Sequence, residues 1–206
     1  ESKGFNKNSK VSPFKNSGFM VNGRVFTVKT KAVYSGTTKS LGDVLETNNP
    51  PEIPTDLKEF YISEEEQINM APKIQIDGTE KRLDTVWDKW KYLKGSKSEL
   101  KVNKNQGYSY KYGEGRMAFP DSLDKPSRTI ITGEGGSGAS RFKHVVKDGS
   151  KHRRLTPIEL ERLNMFPDNH TAHAESTNAK RAFFMGNALV VGVIEKIGKY
   201  LHKLSK

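Results

Sequence analysis

The sequence predicts an α+β fold, rich in β-hairpins at its front and helical at its end. Three features carry that expectation. The pair Asn22-Gly23 separates two short apolar runs, an apolar stripe recurs at helical spacing between Glu80 and Lys94, and an apolar stretch from Ala188 to Ile194 runs on into an amphipathic tail. The 206 residues suffice for one ordinary domain, or a domain with a smaller appended piece. Only 33% of them are apolar and the mean hydropathy is -0.73, which implies a globular body carrying long polar loops.

The first 18 residues, rich in Lys, Asn, Ser and Gly, read as loop. A hairpin is expected over 19–34, because Asn22-Gly23 tolerates the positive φ angles of a type I′ turn. Residues 46–78 are acidic and punctuated by proline, with at most short helices near 55–60 and 63–69. Between Glu80 and Lys94, residues Leu83, Val86, Trp87, Trp90 and Leu93 fall on one stripe of a helix, where tryptophans serve core packing. Tyr108 to Tyr112 alternates as a strand does. Arg128 to Thr132 and Arg141 to Val146 read as two further strands, joined by Gly133 to Ser140, a linker with four glycines in eight residues.

A helix over 157–164 is well signalled: Thr156 can cap it, Pro157 suits its first position, and Glu159 stands where a capping box places its carboxylate. The last helix, about 187–204, is apolar all round in its first half, which should therefore be buried against something large. No internal repeat is present.

The net charge of +11 fits a polyanion partner, although solvated surface lysine gives the same sum. Its distribution is more informative. Residues 46–90 carry 5 basic and 11 acidic side chains, whereas 91–154 carry 15 and 6, so the later stretch is the better candidate footprint. The absence of cysteine excludes disulfides and thiolate metal sites. Asp56-Leu57-Lys58 has no partner acid to make a nuclease site, and the histidines show no ligand spacing beyond His170-x-x-His173, so no metal is expected. With no membrane-length apolar run and no signal-peptide core, a cytoplasmic protein without membrane association is expected.

Two segments carry a resemblance. Arg154-Leu155-Thr156-Pro157-Ile158-Glu159-Leu160-Glu161-Arg162-Leu163-Asn164-Met165-Phe166-Pro167 resembles the ninth block of cytosine-C5 DNA methyltransferases, and Gly186-Asn187-Ala188-Leu189-Val190 resembles the tenth, in the right order and at about the right separation. Met165 departs from the pattern, which has glycine there. Leu123 to Gly136 looks like the same family's target-recognition segment, in which a Thr-[Leu/Ile] pair precedes a glycine-bearing loop.

The resemblance implies a target-recognition region at about 1–150 and a C-terminal segment at 151–206, whose helices complete a Rossmann-like domain that uses S-adenosylmethionine. It implies double-stranded DNA as a partner, met through Arg128, Thr129, Thr132, Gly135, Gly136, Arg141 and Lys143, of which Arg can fork onto guanine edges. It places Asn187, Ala188 and Leu189 beside the cofactor. It gives Arg154, Thr156, Glu159, Arg162, Phe166 and Pro167 a scaffold role, as an ion-pair and capping framework.

Such enzymes add a cysteine thiolate to a flipped cytosine, and this chain has no cysteine, no Phe-x-Gly-x-Gly loop and no Glu-Asn-Val. It is therefore expected to be inactive alone, and to need the N-terminal catalytic domain or subunit of a bacterial methyltransferase, of the kind found in restriction-modification systems. It would be either an excised piece, which the non-Met start favours, or a split subunit. The alternative is a non-catalytic basic nucleic-acid-binding protein.

Overall fold

A computed structural model of the chain describes residues 14–31, 33, 36–46, 55–68, 73–76 and 79–206. The chain forms two compact units, Glu1–Thr38 and Lys39–Lys206, with helices and strands mixed in the α+β manner. In the first unit β1 (Ser17–Val21) and β2 (Arg24–Val28) pair antiparallel around Asn22 and Gly23, whose φ angles of 47° and 75° are those a type I′ turn demands. Phe19 stacks on its cross-strand partner Phe26 at 5.0 Å. The ribbon closes earlier than the predicted 34, because the Asn16 amide grips the backbone of Thr30 in both directions, at 2.7 and 2.9 Å.

The second unit holds three further two-stranded antiparallel pairs. They are β3 (Lys73–Ile76) with β4 (Thr79–Arg82), β5 (Lys97–Val102) with β6 (Ser109–Glu114), and β7 (Val146–Asp148) with β8 (Lys151–Arg153). Helix α1 (Val86–Lys94) is shorter than the stripe suggested, since Thr85 and Asp88 form a capping box that fixes its start. Trp90 is buried and Trp87 packs on Phe119 and His152, as core residues do. Thr55–Phe60 forms a 3-10 helix, whereas the described part of 63–69 holds bends and no helix.

The expected strands at 128–132 and 141–146 are absent, apart from Val146 in β7. The backbone groups a ladder would use are taken by side chains instead. Arg128 binds the carbonyls of Phe142 and Lys143, Glu134 accepts from the amide of His144, and Asp121 accepts from that of Val145.

Helix α2 (Pro157–Leu163) starts at Thr156 with the capping box the sequence predicts. The expected terminal helix begins about four residues later than predicted, as α4 (Val191–Leu204), and is preceded by the unforeseen α3 (Asn178–Asn187). Asn164 ties the junction between them, since its side-chain amide donates to the Met185 carbonyl at 2.8 Å while its own carbonyl accepts from the Val191 amide at 3.0 Å. The apolar core joins Leu41 and Val44 to Val146, Leu155, Leu160, Ala182 and Met185. Among the described residues as many polar as apolar side chains are buried, twelve of each, so the interior depends on its charges being paired and hydrogen-bonded.

Candidate nucleic-acid interface

The glycine-bearing loop 133–140 is seated from below by close backbone approach. A side chain at Gly135 would lie 2.5 Å from Cα of Ala179 in α3, and one at Gly186 of α3 would lie 2.4 Å from the backbone of Thr132. Two cations then draw the loop carbonyls inward. Lys143 Nζ donates to Gly136 O and, at 2.6 Å, to Gly138 O, and Arg154 donates to Gly135 O and Gly136 O at 3.3 and 3.1 Å as well as to Glu59 O at 2.6 Å. Burial pushes the Lys143 ammonium below its ordinary pKa. The amides of Ser137, Gly138 and Ala139 donate to no acceptor among the described residues, and the tip 136–138 is exposed.

The charged candidates stand differently from expectation. Arg128 forks onto Asp121 at 2.7 and 3.0 Å. Burial raises the Asp121 carboxyl, but the bonds from Arg128 and the Val145 amide outweigh it and hold the group below the usual carboxylate range. Arg141 donates to Leu93 O and Gly95 O at 2.9 Å each and to Gly115 O, and pairs with Glu114 at 3.1 Å. Lys143 is 6% exposed. All three head groups are thus spent inside the chain, shaping the loop. Thr129, Thr132 and Gly136 are exposed and Gly135 is half-buried.

Beneath the loop lies a layer that sequence reasoning missed. Glu134 and His144, both buried, meet at 2.8 Å, with Ser127 Oγ 3.0 Å from the other ring nitrogen. Lys94, 1% exposed, donates to Lys143 O, and burial lowers its pKa to about 8. Nothing in the spacing of these residues betrays their meeting.

In the ninth-block segment, where Arg154, Glu159 and Arg162 were expected as an ion-pair framework, Glu159 pairs with another arginine. Arg153, not Arg154, forks onto Glu159 at 2.7 and 2.8 Å and reaches Asp148 at 2.7 Å. Thr156 binds Glu46, and Arg162 binds Asp168 and the Val44 carbonyl. Phe166 packs against the core and on His170, while Pro167 is exposed. Met165 takes φ 63°, the region glycine favours, and lays its thioether where a side chain on Gly192 would be, 2.6 Å away.

Asn187 ends α3 with an exposed amide whose nitrogen returns to the Phe183 carbonyl at 3.0 Å. Ala188 packs on the core and Leu189 is exposed. Helix α4 presents Val193, Ile194, Ile197, Leu201 and Leu204, all exposed. Among the described residues no cluster of metal-ligating side chains occurs, and no helix is long and apolar enough to cross a membrane.

A sequence profile of C-5 cytosine-specific DNA methylases matches residues 4–203. The Type II methyltransferase M.Sau3AI of Staphylococcus aureus is 36% identical over 192 residues, an alignment covering 93% of this chain. The chain spans 38% of that protein's length. No solved structure matches it. With the profile spanning nearly its whole length, the chain belongs to the C-5 cytosine-specific DNA methylase family.

Proposed function

We propose that the chain is the DNA-recognition and C-terminal portion of a bacterial DNA (cytosine-5-)-methyltransferase of a restriction-modification system, inactive by itself. The observation that carries this reading is the loop 133–140. Its carbonyls are held by Lys143 and Arg154, and its exposed tip has small residues and amides without a partner among the described residues, able to approach a groove closely. Thr129, Thr132, Gly135 and Gly136 make or shape the contact with duplex DNA, and Arg128, Arg141 and Lys143 position them.

Residues 1–150 serve recognition and 151–206 close a Rossmann-like catalytic domain. That division is one of task, since Leu41 and Leu155 share a core. S-adenosylmethionine supplies the methyl group when bound. Asn187, Ala188 and Leu189 suit one wall of its pocket, because Asn187 Oδ1 accepts no bond within the described residues and Leu189 offers exposed apolar surface. The apolar face of α4 docks on the cofactor-holding portion, which also furnishes the thiolate that this cysteine-free chain lacks.

Mixing the chain with a catalytic portion of the family that carries Pro-Cys-Gln, and measuring labelled methyl incorporation into duplex DNA, tests the reading. Activity is expected only in the mixture. Methylation by the chain alone, or an inert mixture of two folded parts, would sink it.

A further inference from the structure

The β5–β6 ribbon lies within the recognition portion, but the reading above gives it no contact of its own. Its strands have six residues each, about 20 Å of extended chain at ~3.4 Å per residue. Its tip is ordered: Asn103 accepts the amide of Gly107 at 2.8 Å on its backbone carbonyl, and its side chain accepts those of Asn105 and Gln106. Between Leu100 and Gly113 there are three lysines, Lys101, Lys104 and Lys111, and no acidic residue.

Among the described residues none of the three lysines is in an ion pair, whereas Lys97 at the root of the ribbon pairs with Glu114 and Lys91 of α1 pairs with Asp88. Lys101 instead lies 3.6 Å from the centre of the Tyr112 ring. From the register, Lys111 shares a face with Leu100, and Lys101 shares the other with Tyr110, so the outer half of the ribbon carries lysine on both faces and at its tip, while the two strand acids, Glu99 and Glu114, stand nearer the root on the face of Lys101. Leu100, Val102, Tyr108 and Tyr110 are exposed among these charges.

The root of the ribbon is fixed. Arg141 binds the carbonyls on either side of it, Gly95 and Gly115, and the Glu114 carboxylate that ends β6, and it stands two residues before the lysine that grips the glycine loop. One guanidinium therefore sets the direction of the ribbon relative to the loop.

We propose that the β5–β6 ribbon is a second DNA-contacting arm, held in fixed relation to the glycine loop by Arg141, with Lys101, Lys104 and Lys111 neutralising backbone phosphates. A two-stranded ribbon fits the major groove, about 12 Å wide, whose walls are phosphate on both sides. Lysine on both faces and at the tip of the outer half, with apolar and aromatic side chains between, suits that setting, whereas an acid-bearing protein surface would meet the lysines of one face only.

The inference rests on the chain being a DNA-recognition portion, and the test is kept separate from methyl transfer. Affinity of the 206-residue chain for a duplex oligonucleotide is measured by fluorescence anisotropy across a salt series. Each phosphate contact contributes about 0.9 to the slope of log affinity against log salt, so K101A/K104A/K111A is expected to lower the slope by about 2.7. The triple Lys→Arg variant, which keeps the charge, is expected to retain it.

An unchanged slope in the alanine variant, shown folded by its near-ultraviolet circular dichroism, overturns the proposal, as does a wild-type chain without salt-dependent affinity. An alanine variant that binds duplex normally but no longer associates with a catalytic portion assigns the ribbon to a protein partner and overturns it equally. Failure of methyl incorporation with the slope change present instead counts against the enzymatic reading alone.

Discussion

Arg153 and Arg154 are neighbours in the chain with divided tasks. Arg153, wholly buried, is charge-neutralised by Glu159 and Asp148, whereas Arg154 turns to the carbonyls of the glycine loop. Replacing Glu159 by Gln keeps the shape and leaves Arg153 paired with Asp148, so what is lost is the charge on one bidentate partner. Loss of about 1.5–3 kcal/mol of stability is expected in urea titration, the usual worth of hydrogen bonds to a charged group.

A second prediction at this scale follows from Lys94, whose pKa falls from 10.5 to about 8 on burial. Between those values the unfolded chain binds more protons than the folded one, so stability rises with pH, by at most roughly 1.4 kcal/mol per unit. Thermal melts from pH 7 to 10 read this, and Lys94→Met should flatten the rise. The sequence suggested an ion-pair framework of Arg154, Glu159 and Arg162 around the Thr156 cap, but it is Arg153 that pairs with Glu159 while Arg162 pairs with Asp168. Two adjacent arginines are indistinguishable by spacing, and only the fold decides which one faces inward.

At the scale of elements, local signals were reliable where one short stretch determines the outcome. Asn22-Gly23 and the Thr156–Glu159 box formed as their chemistry requires. Segments settled by distant partners were not legible. The expected strands flanking the glycine loop lost their ladder to Arg128, Glu134 and Asp121, and the late start of the terminal helix, with α3 before it, is set by Asn164, which precedes that junction by more than twenty residues. Of the loop's features the glycines were visible in sequence, but their reason, contact with α3, was not.

Gly186→Ala tests that contact. Its new methyl group would stand 2.4 Å from the Thr132 backbone, which is no flexible side-chain end. A cost of about 1–3 kcal/mol in denaturant titration, typical of overpacking, is expected. Weakened discrimination between cognate and altered duplex sites should accompany it in the reconstituted enzyme.

For the molecule as a whole, the interior of the second unit is drawn from both ends of its sequence, with Leu41 and Val44 packed in the cluster that holds Ala182 and Met185. Composition had announced long polar loops and a modest apolar content, and the many buried charges are how such a chain still makes an interior. The terminal helix is where expectation and structure meet most instructively. The apolar run was real, yet no residue of α4 is buried within this chain. I197E/L201E should leave its stability within about 0.5 kcal/mol, as surface substitutions do. The same pair should abolish association with a catalytic portion in sedimentation.

All four sheets found among the described residues have two strands. Ribbons of that width hold together poorly without a neighbour, so the molecule should open piecemeal. In amide hydrogen exchange, Leu160 and Asn164 beneath the capped Thr156 segment should be the last to take up deuterium, and the far ends of the strand pairs among the first. Local breathing of the ribbons would then coexist with a pivot that stays shut, so their ends could change shape while the capped segment holds.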